Sequence, residues 1–217
     1  MTTTRATTAL TEHPTSRASA LRALWSGVVV ALLLAPSGCT GPGLCVHGGN
    51  WPYKIGTDRQ ARGVSLEPVP TTIDALIALA HVARPTDRSR IAPVELTTFV
   101  VRDVQLDGFQ RAPDGDVHMV IADEHGHTMI IEATPPFCME EGSLWREQIT
   151  AVRKVVDDEI PMAFVGWKKR TMSLSGVGYF DSLHGQFGVA DNGIELHPIL
   201  SICFGRGCVL PDPRATR

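Results

Sequence analysis

Two short pairs of residues share one spacing in this chain: Asp116 with His118, and Glu195 with His197. Residues two apart on a β-strand point to the same side, so each pair would present a carboxylate and an imidazole together. Glu132 is out of phase with the apolar Met129, Ile131 and Ala133, which places it on the polar side of its own strand. Two imidazoles and three carboxylates supply nitrogen and oxygen donors of the kind zinc or manganese takes. They would equally serve as a general acid and base for hydrolysis. The candidate catalytic residues are therefore Asp116, His118, Glu132, Glu195 and His197. The candidate metal ligands are His118, Glu132, Asp181, His184, Glu195 and His197, and the cofactor they imply is a divalent metal. Asp181, His184 and Asn192 come from the segment ahead of the last strand.

A plainer account competes with this one. Acidic and His side chains on the solvent face of an antiparallel strand are the polar half of the alternation. Cross-strand carboxylate-imidazole hydrogen bonds would satisfy them. Under that account the cluster is structural or lines a binding surface. His125 and His127 read as solvated turn residues, and Tyr179 and Phe180 as core or rim. Trp167, Lys168, Lys169 and Arg170 form a short basic run with one aromatic, a weak basis for a nucleic-acid contact. No Gly-rich phosphate loop, GxSxG elbow or HExxH occurs.

The elements that must position these residues follow from periodicity. Thr71 and Asp74 after Pro70 resemble a capping box, and Ile73, Leu76, Ile77 and Ala80 predict a short helix over 72–82. Val94, Leu96, Thr98, Val100, Val104 and Leu106 alternate over a strand long enough to require a bend or bulge. Residues 107–116 carry a dense turn signal in Asp107, Gly108, Pro113, Asp114 and Gly115. Strands follow at 117–121 and 129–133 around a hairpin loop at 123–127. Trp145, Ile149, Val152 and Val156 predict a helix between Ser143, as N-cap, and Pro161. Two more strands are expected at 171–181 and 193–202, the first bending at Gly176 and Gly178. The order β-β-β-α-β-β, with a long bent first strand and a short helix before it, predicts a mainly β protein. Its connectivity is that of an OB-like five-stranded Greek-key barrel. In that fold the second, third and fifth strands are neighbours, so the five polar side chains would meet on one outer surface.

The start of the chain has a different character. After Arg22 comes an apolar run through Val28, Val30, Leu32 and Leu34, closed by Pro36, Ser37, Gly38 and Cys39, the pattern of an export signal. The run is shorter than the roughly 20 residues of a membrane-spanning helix. Pro36-Ser37-Gly38-Cys39 resembles the lipobox of bacterial lipoproteins, which would make Cys39 a lipidation site and membrane anchor. Pro36 departs from the usual aliphatic residue. The expected organisation is an export signal over 1–38, a tether and irregular lead-in over 39–70, the OB-like domain over 71–204 and a tail over 205–217.

Loss of residues 1–38, with three Arg and one Glu, leaves 17 basic against 22 acidic residues. That acidic balance disfavours nucleic acid, whose phosphates demand a basic footprint. An oxidising compartment would turn Cys45, Cys138, Cys203 and Cys208 into two disulfides of open pairing. Zinc is the rival reading, and of these only Cys203 and Cys208 are close in sequence.

Several runs resemble a widespread family of uncharacterised bacterial secreted and lipoprotein domains. They are Tyr53-Lys54-Ile55-Gly56-Thr57-Asp58, Pro70-Thr71-Thr72-Ile73, Asp114-Gly115-Asp116-Val117-His118 and Met129-Ile130-Ile131-Glu132. The most specific is Gly176-Val177-Gly178-Tyr179-Phe180-Asp181 through His184-Gly185-Gln186 to Asn192-Gly193-Ile194-Glu195-Leu196-His197-Pro198. The resemblance covers about residues 53–202 and implies that Asp116, His118, Glu132, Asp181, His184, Glu195 and His197 belong to the family's pattern. Ala190-Asp191-Asn192 departs from the Ala-Pro-Asn expected there. The function expected from all this is an exported, lipid-anchored domain that binds a protein or small ligand, with a metal-dependent hydrolase of phosphodiesterase type as the alternative.

Overall fold

The structure is a computed structural model that describes residues 50–215 apart from 86, 88, 113, 162–168 and 184, and only the backbone of Cys138. The expected export signal, Cys39, Cys45, Trp167, Lys168 and His184 lie outside the described residues. Every described residue falls in one unit, Thr40–Arg217.

Alternating β-branched and apolar residues make β2 (Thr97–Arg111) the longest strand, at 15 residues. It starts and ends later than its periodicity suggests. Val94–Leu96 form a 3-10 turn, and residues 107–111, expected as a turn, continue the strand. Asp107 and Gly108 are accommodated by a register shift against β3 (Val117–Ala122) between Leu106 and Gly108. The expected bend lies at Asp103, with φ of 53°. Its backbone N–H donates to Ser173 Oγ at 3.0 Å, and its Oδ1 accepts from the Gly207 N–H at 2.8 Å. A bent β2 can pair with two partners, β5 (Arg170–Phe180) along its first part and β3 along its second.

β3 continues through a hairpin into β4 (Thr128–Ala133), which lies parallel to β6 (Ile194–Phe204), and β6 returns antiparallel to β5. The β2–β5 pairing closes the order β2-β3-β4-β6-β5 into a five-stranded barrel. With helix α3 (Arg146–Glu159) between the third and fourth barrel strands, this is the OB-like barrel expected from the element order. Gly178 is required by close approach, since a Cβ there would lie 2.7 Å from the Val94 carbonyl oxygen and 2.8 Å from the Phe99 ring.

The chain ahead of the barrel departs from the expected irregular lead-in. Pro52 at the first turn starts a five-residue helix, α1 (Trp51–Ile55), and β1 (Ser65–Pro70) adds a sixth strand parallel to β2. The next helix, α2 (Ile73–Ile77), is shorter than 72–82, and its cap is Thr72 rather than Thr71, with Thr72 Oγ1 accepting from the Ala75 N–H at 3.1 Å. Ser143 does not cap α3, which begins after Trp145. Its hydroxyl donates instead to the Ile55 carbonyl at 2.7 Å, tying α1 to the segment before α3.

Two apolar clusters result. One fills the barrel with Leu106, Met119, Ile131, Leu174 and Leu196, joined by Val152 and Val156 of α3 and Leu76 of α2. The other packs Trp51, Ile55, Val64 and Leu66 with Trp145 and Ile149 onto Val177 and Leu200 of the barrel strands. Leu200 faces away from its strand neighbour Ile199 of the first cluster, so the segment ahead of the barrel covers the barrel's outside.

One of the expected disulfides is present, between Cys203 and Cys208 at the end of β6. Both sulfurs are thereby used, so the zinc reading has no ligand at this pair.

Candidate functional site

The polar side chains assemble as their spacing implied. His118 on β3 is directly opposite Glu132 on β4, and the parallel register of β4 with β6 sets Ile130 against Glu195. Glu132 therefore reaches both imidazoles. His118 Nε2 lies 2.8 Å from Glu132 Oε1, and His197 Nδ1 lies 2.6 Å from Glu132 Oε2. Asp116 joins from the turn before β3.

The surface is not open, as the outer-face expectation had it. Asp116 and Glu132 are buried, and Glu195 and His197 are 1% and 2% exposed. The physical reason is α1, whose Lys54 reaches down to the carboxylates, with Nζ 2.5 Å from Asp116 Oδ2 and 3.0 Å from Glu132 Oε2. Burial alone would lower the Lys54 pKa, but the charges of Glu132 and Asp116 and their hydrogen bonds outweigh it and hold the ammonium well above its ordinary range. Glu132 is the converse case. Burial pushes it up, while His197, His118 and Lys54 together hold it well below the usual carboxylate range. Asp116 remains raised by burial, with Lys54 and His197 working against that shift. For His118, burial lowers the pKa, and the hydrogen bond and charge of Glu132 more than reverse it.

Glu195 differs from its neighbours. Both of its carboxylate oxygens are buried without a hydrogen-bond partner, and His197 Nδ1 stands 3.9 Å away, beyond hydrogen-bond reach. Burial, then the nearby charges of Glu132 and Asp181, push it well above the usual carboxylate range and favour its uncharged form. Tyr179, directly across from Glu195 on β5, meets His197 edge-on at 5.6 Å and is raised by burial.

A roof of residues that the sequence pattern did not mark covers Tyr179. Arg84 lies 4.5 Å over its ring and 4.9 Å over that of Tyr53. The guanidinium is held by Glu95 at 2.7 and 3.2 Å, and the fully buried Glu95 also accepts from the Ile91 and Phe180 N–H groups. Glu95 falls between the alternating Val94 and Leu96, and Lys54 in a Gly- and Pro-rich stretch with no period.

The remaining candidates divide. Asp181 lies at the end of β5, where its carboxylate accepts from Asn50 Nδ2 at 3.4 Å. Asn192 is a clamp rather than a ligand: Nδ2 donates to the Leu76 and Leu79 carbonyls at 3.0 Å, and Oδ1 accepts from the Ile194 N–H. His127 is an exposed turn residue, as expected, and its Nδ1 also pairs with Asp74 and Asp123 and ties the β3–β4 hairpin to α2. Of the basic run, Lys169 pairs with Asp107 and Arg170 with Glu159.

Asp116, Glu132 and His197 bring one donor atom each to within 4.8 Å of one another, a set whose chemistry suits zinc or manganese. The Lys54 ammonium stands between two of these donors. An ion could bind all three only by displacing a cation already hydrogen-bonded to both carboxylates.

His118 also faces a second feature. A groove of about 350 Å³ is lined by Asp107–Gln110 of β2, His118 and Val120 of β3, Ile130 of β4, and Gln186 and Phe187 of the loop between β5 and β6. Ligand sites span about 300–1,000 Å³, so the groove is of binding size. The loop is seated by Gly188, with φ of 78°, where a Cβ would lie 2.4 Å from Val120 Cγ1. Phe187 beside it is 77% exposed, and its ring lies against the bare face of Gly108.

Comparison with protein-family models, with curated proteins and with solved structures finds no match.

Proposed function

We propose that this protein is an exported, lipid-anchored domain that binds a ligand in the groove formed by β2, β3, β4 and the β5–β6 loop. The observation that carries the reading is His118, which lines the groove on one side and is bonded to the buried Glu132 on the other. A polar group fixed in a largely apolar groove is the usual construction of a ligand site. In OB-like barrels the second and third strands and the loop between the fourth and fifth are the faces that bind ligands, and here those are β3, β4 and the loop carrying Phe187. Behind His118, the network of Glu132, Lys54, Asp116 and His197 serves as a brace that fixes the imidazole. Metal-dependent hydrolysis is the weaker reading, because Lys54 already neutralises the carboxylates an ion would need.

The groove reading is tested by a fragment screen followed by amide chemical shifts. Hits are expected to move His118, Val120 and Phe187 and to be lost in Phe187→Ala. Hits that map elsewhere, or survive that substitution, would defeat it.

The export reading is supported by the Arg22-to-Cys39 pattern, and the Cys203–Cys208 disulfide points the same way. With a lipid on Cys39 the wild-type chain is expected to enter the detergent phase on Triton X-114 partition, and Cys39→Ser the aqueous phase. Identical partition of the two would refute anchoring at Cys39.

A further inference from the structure

We infer that a second pocket, over the outer face of β2, β5 and β6, binds a small organic carboxylate with an apolar body, an inference independent of the groove beside His118. Its floor is a row of pairing partners: Val100 lies opposite Ser175, and Ser175 opposite Ser201. Each adjoins a residue of the barrel core, Val101, Leu174 and Ile202 respectively, so the row faces outward. Small side chains there leave a depression between taller walls. Pro68 and Pro70 of the edge strand β1 form one wall. The chain after β6 forms the other. It turns back at the Cys203–Cys208 disulfide, and Leu210, Pro211 and Pro213 then line the pocket. Pro213 is buried, and its carbonyl accepts from Gln148 Nε2 at 2.8 Å. Proline fixes its own φ, so both walls are stiff. The pocket measures about 250 Å³, just under the range of about 300–1,000 Å³ usual for ligand sites, and is sized for a small molecule.

The polar groups decide the ligand. Ser175 Oγ and Ser201 Oγ are 2.7 Å apart, and both residues are buried. Two hydroxyls bring two protons, and the bond between them uses one. One O–H is left to donate into the pocket that both line, and a buried donor is costly without an acceptor. Arg102 adds a cation. The register of β2 against β5 breaks between Val101 and Val104, around the positive φ of Asp103, and Arg102 stands at that break beside Val100 in the lining. It is exposed and pairs with none of the described residues. Its planar fork matches a carboxylate in geometry as well as charge. Asp212 also faces the pocket, but Arg214 holds both of its oxygens, with Nε 2.9 Å from Oδ1 and Nη2 2.8 Å from Oδ2. That pair neutralises itself, and Arg102 sets the sign. A carboxylate supplies the charge that Arg102 matches and acceptor oxygens for the serine proton, while an apolar body covers Val100, Leu210 and the prolines.

The test is titration of the whole chain with hexanoate, read by amide chemical shifts, beside hexan-1-ol and inorganic phosphate. Hexanoate should bind saturably, moving Val100, Ser175, Ser201 and Leu210 while leaving Val120 and Phe187 in place, and should bind more weakly at high salt. Hexan-1-ol, which lacks the charge, and phosphate, which lacks the apolar body, should each bind at least tenfold more weakly. Arg102→Gln should weaken hexanoate tenfold or more without lowering the melting temperature, since Arg102 is exposed and holds none of the described residues. The assignment would be overturned by the lack of a saturable shift at the four residues, by shifts that survive Arg102→Gln, or by hexan-1-ol or phosphate binding as tightly as hexanoate.

Discussion

Replacing Lys54 by methionine should cost the fold about 3–5 kcal/mol, the usual penalty for removing one partner of a buried ion pair. In a domain of this size that lowers the melting temperature by roughly 6–20 °C. Methionine keeps much of the aliphatic stem, so the loss isolates the ammonium. Without it, Asp116 and Glu132 share a site in which both are buried, Asp116 Oδ2 loses the ammonium and Glu132 Oε2 keeps only His197. The signs can be worked out. Lys54 has a folded pKa raised above its ordinary 10.5, so its contribution is complete below that value and is lost as pH rises through the folded one. Glu132 is lowered from 4.5, so its contribution is present above that value and is lost as pH falls through the folded one. Across the neutral range the deficit of Lys54→Met should therefore be flat, and it should shrink in acid as the two carboxylates take up protons. Adding Asp116→Asn should restore part of the stability. A melt of Lys54→Met within 2 °C of wild type, or a deficit that grows in acid, would show that the ammonium is not what neutralises the carboxylates.

Glu195→Gln should act in the other direction. Burial together with the charges of Glu132 and Asp181 raises its folded pKa well above the ordinary 4.5, so the folded state holds a proton that the unfolded chain releases. Its contribution is complete below 4.5 and declines as pH rises toward the folded value, by about 1.4 kcal/mol per pH unit for one proton. Glutamine removes that decline, so Glu195→Gln should be the more stable form at neutral pH. His118 has a folded pKa raised above 6.5 and adds a loss of the same sign as pH rises through its own folded value. The difference between wild type and Glu195→Gln therefore isolates Glu195. Denaturant midpoints across the pH range would measure it. A variant less stable than wild type at neutral pH, with an unchanged slope, would mean that Glu195 is ionised and partnered.

Much of the barrel was legible because its strands have one wet and one dry side over part of their length, and the two-residue period follows from that. Met119, Ile121, Met129 and Ile131 are buried as their phase requires, and the equal spacing of Asp116–His118 and Glu195–His197 placed His118, Glu195 and His197 correctly on the two strands that flank β4, with Asp116 just ahead of β3. What period cannot reveal is which side is wet. Glu132 and His197 are out of phase with the core and are buried all the same, because α1 and the segment after it cover that face. That cover was itself hidden. A helix of five residues has too few positions to show a period, and β1, with Pro68 and Pro70, is an edge strand whose place is fixed only by pairing with β2. Lys54 and Arg84 therefore escaped notice, since their partners Asp116, Glu132 and Glu95 lie far along the chain or on the misjudged side. The groove was illegible for a related reason. It depends on how residues 186–188 cross Val120, a matter of tertiary packing rather than local pattern.

The central claim is that Lys54, and not a metal ion, neutralises Asp116 and Glu132, which leaves binding to the groove beside His118. Its most direct test is the metal content of protein purified without an affinity tag, measured together with the melting temperature in the presence of EDTA. The expected result is metal far below one equivalent and a melting temperature that EDTA leaves unchanged. One equivalent of zinc or manganese, stripped by EDTA with a fall in melting temperature, would contradict it.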